Sequence, residues 1–202
     1  MTDHYYSSNP NAKSDKSIWN YTLLGHSFEF HSDAGVFSKK EVDFGSKLLI
    51  ETFSVPQVEG DILDVGCGYG PIGLSIAKLC PKRKLYMVDV NERAVSLAKE
   101  NALKNKVDNV EIIQSDLYEL VESQQFAAIL SNPPIRAGKK VTYTIYEESV
   151  DHLLPGGELW IVIQKKQGAP SVMKKLEQLF CDVSVVARKK RLFYHLCKKG
   201  LT

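Results

Sequence analysis

The chain is short of cysteine, of long apolar stretches and of net charge. Its four cysteines, Cys67, Cys80, Cys181 and Cys197, form no CxxC pair in 202 residues. That spacing excludes a disulfide framework and a cysteine zinc site, and it fits the reduced thiols of a cytoplasmic protein. The five histidines are scattered, so no metal centre is expected. The strongest apolar run near the end, Leu159 to Ile163, is far too short to span a bilayer. The N-terminus is polar and lacks the apolar core of a secretory signal. Neither an internal repeat nor a second globular domain is visible. An N-terminal extension over residues 1–37 and one compact domain over residues 38–202 are expected. Net charge is only +2, yet residues 136–202 carry 13 Lys/Arg against 6 Asp/Glu, leaving the first 135 residues at −5. Such asymmetry points to a polyanionic partner for the C-terminal third.

What is present is a strand–helix alternation. Residues 1–20 are polar, with Tyr5, Tyr6 and Trp19 interleaved, and read as irregular; Leu23–His31 reads as a strand or hairpin. Ser38 with Glu41 three residues later has the form of a capping box for a helix whose apolar face is Phe44, Leu48, Leu49 and Phe53. Strands are expected at Ile62–Val65, Leu85–Val88, Val110–Gln114, Phe126–Ser131 and Leu159–Gln164. Helices are expected at Ile72–Leu79, Glu92–Asn105, Tyr143–Leu154 and Ser171–Phe180. Short apolar strands alternating with helices imply a parallel, doubly wound α/β sheet. Val183–Ala187 and Leu192–Cys197 are joined only by Arg188-Lys-Lys-Arg191, which forces an antiparallel hairpin.

Asn132-Pro133-Pro134-Ile135 follows the apolar run Phe126 to Leu130. Two prolines cannot continue a central strand, so the chain turns there and leaves Asn132 at a strand tip. The Asn132 side-chain oxygen and the Pro133 carbonyl are two rigid acceptors, suited to a planar exocyclic amine with two N–H donors. Upstream, Asp64-Val-Gly66-Cys67-Gly68-Tyr-Gly70 makes a glycine-rich turn. Gly68 to Gly73 also matches the dinucleotide pattern G-x-G-x-x-G. Asp64 inside the strand would sit poorly beside a pyrophosphate but can hold the ammonium of a bound amino acid, directly or through water. Asp89 ends the second strand, 25 residues after Asp64, where a carboxylate can accept two ribose hydroxyls. Asn91 is the better cap for the following helix.

Together these residues resemble the class I S-adenosylmethionine-dependent amino-methyltransferases. The resemblance implies a three-layer Rossmann-like fold with a seven-stranded, mostly parallel sheet whose last strand is inserted antiparallel. It implies cofactor contacts from Asp64, Gly66, Cys67, Gly68, Gly70, Asp89, Asn132 and Asp116, the last toward the adenine amine, with Val90 and Leu117 as apolar walls. It places Asn132, Pro133, Pro134 and Ile135 in the catalytic tip. Many relatives carry an aromatic residue where Ile135 stands, so Phe37 in Gly35-Val-Phe-Ser38 is a candidate for stacking on the target base, or else a core residue.

Asn132 to Lys139, Ile163 to Ala169 and the Gly35 segment are closest to single-domain relatives of the small-subunit ribosomal RNA guanine-N2 methyltransferase C family. That implies methylation of a guanine amine in small-subunit ribosomal RNA, with S-adenosylhomocysteine as the second product and no metal. The longer relatives carry a further methyltransferase-like domain, so docking falls to other surfaces and leaves room for a homodimer. Arg136, Lys139, Lys140, Lys165 and Lys166 are the candidate RNA-binding residues. Adenine N6, a protein glutamine amide, a non-catalytic RNA-binding role and a dinucleotide oxidoreductase are the alternatives.

Overall fold

The computed structural model describes residues 13–133, 137–164, 169–189 and 192–200. Pro134, Ile135, Arg136, Lys165 and Lys166 lie outside the described residues. The seven-stranded sheet is built from β3 (Ile62–Val65), β4 (Leu85–Asp89), β5 (Val110–Gln114), β6 (Phe126–Ser131), β7 (Leu153–Gln164), β8 (Asp182–Lys189) and β9 (Leu192–Lys198). Its strand order is β5-β4-β3-β6-β7-β9-β8. All neighbours are parallel except that β9 runs antiparallel to both β7 and β8. This is the Rossmann-like methyltransferase arrangement expected from the sequence. β7 begins at Leu153, six residues before the expected start, because its pairing with β6 continues across an irregularity at Pro155-Gly-Gly157.

Strand parity assigns the sheet's two faces. Ile62 packs in the core beneath α1 (Phe44–Thr52), α2 (Pro71–Leu79) and α3 (Glu92–Lys104). Leu63 and Val65 pack in the core beneath α4 (Lys139–His152) and α5 (Ala169–Leu179). Asp64 shares the first face with Ile62, so its carboxylate is turned toward α2. There Gly73 is required by contact: a Cβ would lie 2.7 Å from the Met87 thioether.

Residues before 20 are not all irregular. β1 (Ser17–Leu23) pairs antiparallel with β2 (His26–Ser32). Leu24 and Gly25 both take positive φ, 50° and 79°, the pattern of a tight hairpin turn with the handedness of the strands. The free edge of β2 is covered by side chains rather than by a strand. Asn101 accepts from His31 N–H at 2.7 Å and donates to His31 C=O at 2.9 Å. Asn105, one turn along α3, does the same for Glu29 at 2.9 and 2.8 Å. Two carboxamides at i and i+4 thus mimic a neighbouring strand over alternate residues and cap an edge that would otherwise invite pairing.

The capping box at Ser38 is corrected. Ser38 sits at φ 55° and its hydroxyl donates to the Glu41 carbonyl at 2.6 Å. Asp43 caps α1 instead, with extended backbone, its Oδ1 accepting from Gly45 and Ser46 N–H at 2.9 and 3.3 Å. Ser38 has no helix to cap, since α1 begins six residues later at Phe44.

Candidate active site

Strands β3, β4, β5 and β6 all end at one edge of the sheet, and a cavity of about 920 Å³ opens there. The strand order reverses between β3 and β6, the position where open α/β sheets leave a crevice for ligands. Gly66, Cys67 and Gly68 from the turn after β3 line it, with Asp89 at the end of β4, Val90 just past it, and Ser115, Asp116 and Leu117 from the loop after β5. Asn132 and Pro133 follow β6, and Val36, Phe37, Asp43 and Ser46 close the remaining side.

The turn is shaped by its glycines. Gly66 and Gly68 have φ of 76° and 57°, and a Cβ on either would project into open space. Both therefore present bare backbone to the cavity. Gly70 does another job. It starts α2 in the left-handed region, and a Cβ there would press on Leu74 and Met87; it is not on the cavity wall. Asp64 also lies one layer back. Its Oδ2 accepts from Gly73 N–H at 2.9 Å, while its buried Oδ1 has no partner among the described residues. Burial pushes the Asp64 carboxyl up to about 7, against the Gly73 hydrogen bond and assisted by repulsion from Asp89.

Asp89 opens to the cavity. Its oxygens accept from Gly68 N–H at 2.8 Å and Asn91 N–H at 2.9 Å, tying the glycine turn to β4. Enclosure raises this carboxyl above its ordinary value, opposed by the Asn91 and Gly68 hydrogen bonds. Asn91, as expected, caps α3 by accepting from Arg93 and Ala94 N–H. Asp116 lies just past β5, and its carboxylate accepts no hydrogen bond from the described residues. The turn beside it is held by Ser115, whose Oγ accepts from Leu120 N–H at 3.1 Å. Leu117 sits at φ 48°, a strained position for a non-glycine residue, on the cavity wall.

At the β6 tip, Ser131 Oγ donates to the Val65 carbonyl at 2.9 Å, fastening β6 to β3. Asn132 Nδ2 donates to Asp43 Oδ1 and Oδ2 at 3.1 and 3.2 Å and to Ser46 Oγ at 3.0 Å. The amide orientation follows from chemistry, since the flipped amide would set its oxygen against a carboxylate. Asn132 Oδ1 accepts nothing from the described residues. Asp43 and Ser46 escaped sequence reading because the Ser38–Glu41 spacing competed for the same helix start. The available signal was Asp43 itself, a good cap residue immediately before Phe44. Phe37 is 43% exposed and lines the cavity mouth. Lys139 and Lys140 are exposed in the first turn of α4 beside the cavity-lining Ala137 and Val141, but do not line it themselves.

Fold and site together define a Rossmann-like enzyme of the class I methyltransferase type. The sequence pattern of the methyltransferase small domain family matches residues 27–195, and the chain belongs to that family. It is 60% identical over 200 residues to the uncharacterized protein YbxB of Bacillus subtilis (strain 168), covering 98% of this chain and 100% of that one. It is 33% identical over 176 residues to the ribosomal RNA small subunit methyltransferase C of Vibrio cholerae serotype O1, covering 84% of this chain and 50% of that one. Among solved structures it resembles the T. thermophilus 16S rRNA N2 G1207 methyltransferase in complex with AdoMet and guanosine. The TM-score is 0.81 at 24% identity, over 94% of this chain and 52% of that chain. The chain thus spans about half the length of the methyltransferase C relatives it matches. Among the described residues no helix is long and apolar enough to cross a membrane, and no cluster of metal-ligating side chains occurs.

Proposed function

We propose that this chain methylates the exocyclic N2 amine of a guanine in small-subunit ribosomal RNA, using S-adenosylmethionine and releasing S-adenosylhomocysteine. The observation that carries this reading is Asn132: a carboxamide at a strand tip on the cavity wall, its NH2 engaged by Asp43 and Ser46 and its oxygen accepting nothing from the described residues. An aromatic amine is a weak nucleophile because its lone pair is shared with the ring. Acceptors on its N–H groups, from Asn132 Oδ1 and the Pro133 carbonyl, hold the amine and stabilise the positive charge that grows on nitrogen. The nitrogen's lone pair would then form the new bond to the methyl carbon as the carbon–sulfur bond breaks, its electron pair staying on the sulfur of S-adenosylhomocysteine, and the excess proton would leave to water.

The cavity also fits the cofactor by charge. Asp43, Asp89 and Asp116 line it, and no Lys, Arg or His does among the described residues. Three carboxylates without a cation suit a ligand bearing an ammonium and a sulfonium, and oppose a dinucleotide pyrophosphate. The partnerless oxygen of Asp64, which is buried and not on the cavity wall, could accept a hydrogen bond relayed from an ammonium by water. The cofactor supplies a methyl group already activated as an electrophile, so the chain's task is placement. Asp89 would take the ribose hydroxyls, Asp116 the adenine amine, and Val90 with Leu117 the adenine faces.

The ribosomal target is supported by likeness to the methyltransferase C relatives and by Lys139 and Lys140 on the α4 N-terminal turn, where backbone N–H groups also favour phosphate. Phe37 at the mouth would stack on the base. The test incubates the protein with methyl-labelled S-adenosylmethionine and unmodified small ribosomal subunits, then identifies the labelled nucleoside. Label on N2-methylguanine is expected; label on adenine or on ribosomal protein sinks the guanine assignment. N132A should lose about 100-fold in turnover while binding S-adenosylmethionine nearly as wild type. Near-normal turnover by N132A sinks the role of the tip.

A further inference from the structure

We infer that Asp43 and Ser46 are positioning residues for the methyl acceptor: they lock the Asn132 carboxamide with its oxygen toward the cavity, and the Asp43 charge strengthens that oxygen as an acceptor. This deepens the methyl-transfer reading and rests on it.

Asp43 has two jobs, and only one is structural. Capping α1 uses Oδ1, which accepts from Gly45 and Ser46 N–H. Oδ2 contributes nothing to the cap and accepts instead from Asn132 Nδ2 at 3.2 Å. Serine or asparagine would cap the helix about as well, so the cap does not explain a carboxylate. Gly45 is a second, independent sign. Its φ is unexceptional, yet a Cβ there would lie 2.9 Å from Asp43 Oδ1 and 3.3 Å from both Asn132 Nδ2 and Val162 Cγ1. Within Asp43-Phe-Gly45-Ser46, two residues thus hold the carboxamide of the opposite strand tip, and Gly45 leaves room for it and for Val162.

The chemistry follows from the donors. An amide NH2 has two N–H groups, and three acceptors at 3.0 to 3.2 Å occupy both. Rotation of the carboxamide would bring its oxygen against the Asp43 carboxylate, so one orientation prevails. Hydrogen bonds from the NH2 to an anion also draw electron density through the amide toward Oδ1. A more negative Oδ1 gains most where the bound amine becomes cationic, which is in the transition state rather than in the ground state.

The variant D43N tests this, because it keeps the cap and removes the charge. It turns a donor toward the Asn132 NH2, so the carboxamide must flip or leave. Expected is a fall in kcat of about 100-fold on small ribosomal subunits, with the thermal midpoint near wild type and the KM for S-adenosylmethionine, whose cavity loses one of three lining carboxylates, raised far less than kcat falls. The exchange D43N/N132D puts the carboxylate on the strand tip and the amide on the cap, and should recover at least about tenfold over D43N. Side-chain ¹⁵N–¹H signals of Asn132, assigned by their loss in N132A, report the lock without any methyl acceptor. They should be slow to exchange in wild type and shifted in D43N. Turnover by D43N within threefold of wild type overturns the inference, as do Asn132 signals that D43N leaves in place. If wild type labels no nucleoside, the ribosomal reading fails by itself, and the Asn132 signals still decide whether the lock exists.

Discussion

A buried carboxyl with one oxygen unpartnered should make the cofactor-free protein lose stability as pH rises. Asp64 is fully buried and pushed from 3.8 to about 7. Between those values the unfolded chain has released the proton and the folded chain keeps it, so folding takes up a proton. Stability therefore falls with pH across this window and levels off above about 7. At 1.36 kcal/mol per decade the full drop is about 4 kcal/mol, an upper figure because relaxation and entering water soften a buried charge. The variant D64N keeps an acceptor for Gly73 N–H and removes the titration. Urea unfolding of both proteins without cofactor, from about pH 4 to 8, isolates the effect, since other groups cancel in the difference. Wild type should lose up to about 4 kcal/mol relative to D64N over that range. A difference that stays flat refutes the assignment of a strained carboxyl. A cationic ligand should reverse the trend. If its ammonium draws on the free Asp64 oxygen, wild-type affinity for S-adenosylmethionine should be about 30-fold weaker at pH 5.5 than at pH 8, with D64N flat.

Three further outcomes are expected. N101A removes the carboxamide that serves His31 N–H, His31 C=O and the Tyr69 carbonyl; with buried groups left unpaired, chemical denaturation should show a loss of about 2–5 kcal/mol, and a loss below 1 would mean water replaces it. G73A forces a methyl against Met87 at 2.7 Å and should cost about 1–3 kcal/mol, recovered in part by trimming the partner in G73A/M87A. K139A/K140A should weaken RNA binding and reduce the slope of log affinity against log salt by about 1–2, read from titrations at several salt concentrations; an unchanged slope would place RNA on another surface.

The strand–helix alternation was legible because each strand is a short apolar run and each helix has one apolar stripe. Phe126–Ser131 and Val110–Gln114 came out with their observed limits. The antiparallel end was legible for a different reason, since four residues cannot make a crossover. Local chemistry failed where a tertiary contact decides. Ser38–Glu41 has the spacing of a capping box, yet the chain there is bent into the cavity wall, with the Tyr69 hydroxyl donating to the Glu41 carbonyl at 3.2 Å. The turn at Leu24-Gly25 places leucine at positive φ, which no turn preference favours; Leu24 packs against the core and overrides it. In the site, Asp89 and the glycine turn were visible as spacing. The Asp43–Asn132 contact spans 89 residues, and no pattern along one chain joins positions that far apart.

Charge asymmetry along the chain becomes charge asymmetry across the site because of the winding. The first half of the domain builds β3, then β4, then β5, moving outward to one side; the second half starts at β6 and moves outward to the other. The reversal point lies between β3 and β6, where the cavity opens. Acids from the first half, Asp64, Asp89 and Asp116, therefore stand on or just behind one flank of the cavity. The exposed Lys139 and Lys140 come from the second half, at the start of the helix that follows β6. One edge of one sheet thus offers an acidic wall suited to a cation and a basic margin suited to a polyanion. An enzyme that joins a cationic methyl donor to a nucleic acid, as proposed above, would need both. Neither half supplies both alone, and Asn132, the first residue past β6, stands where they meet.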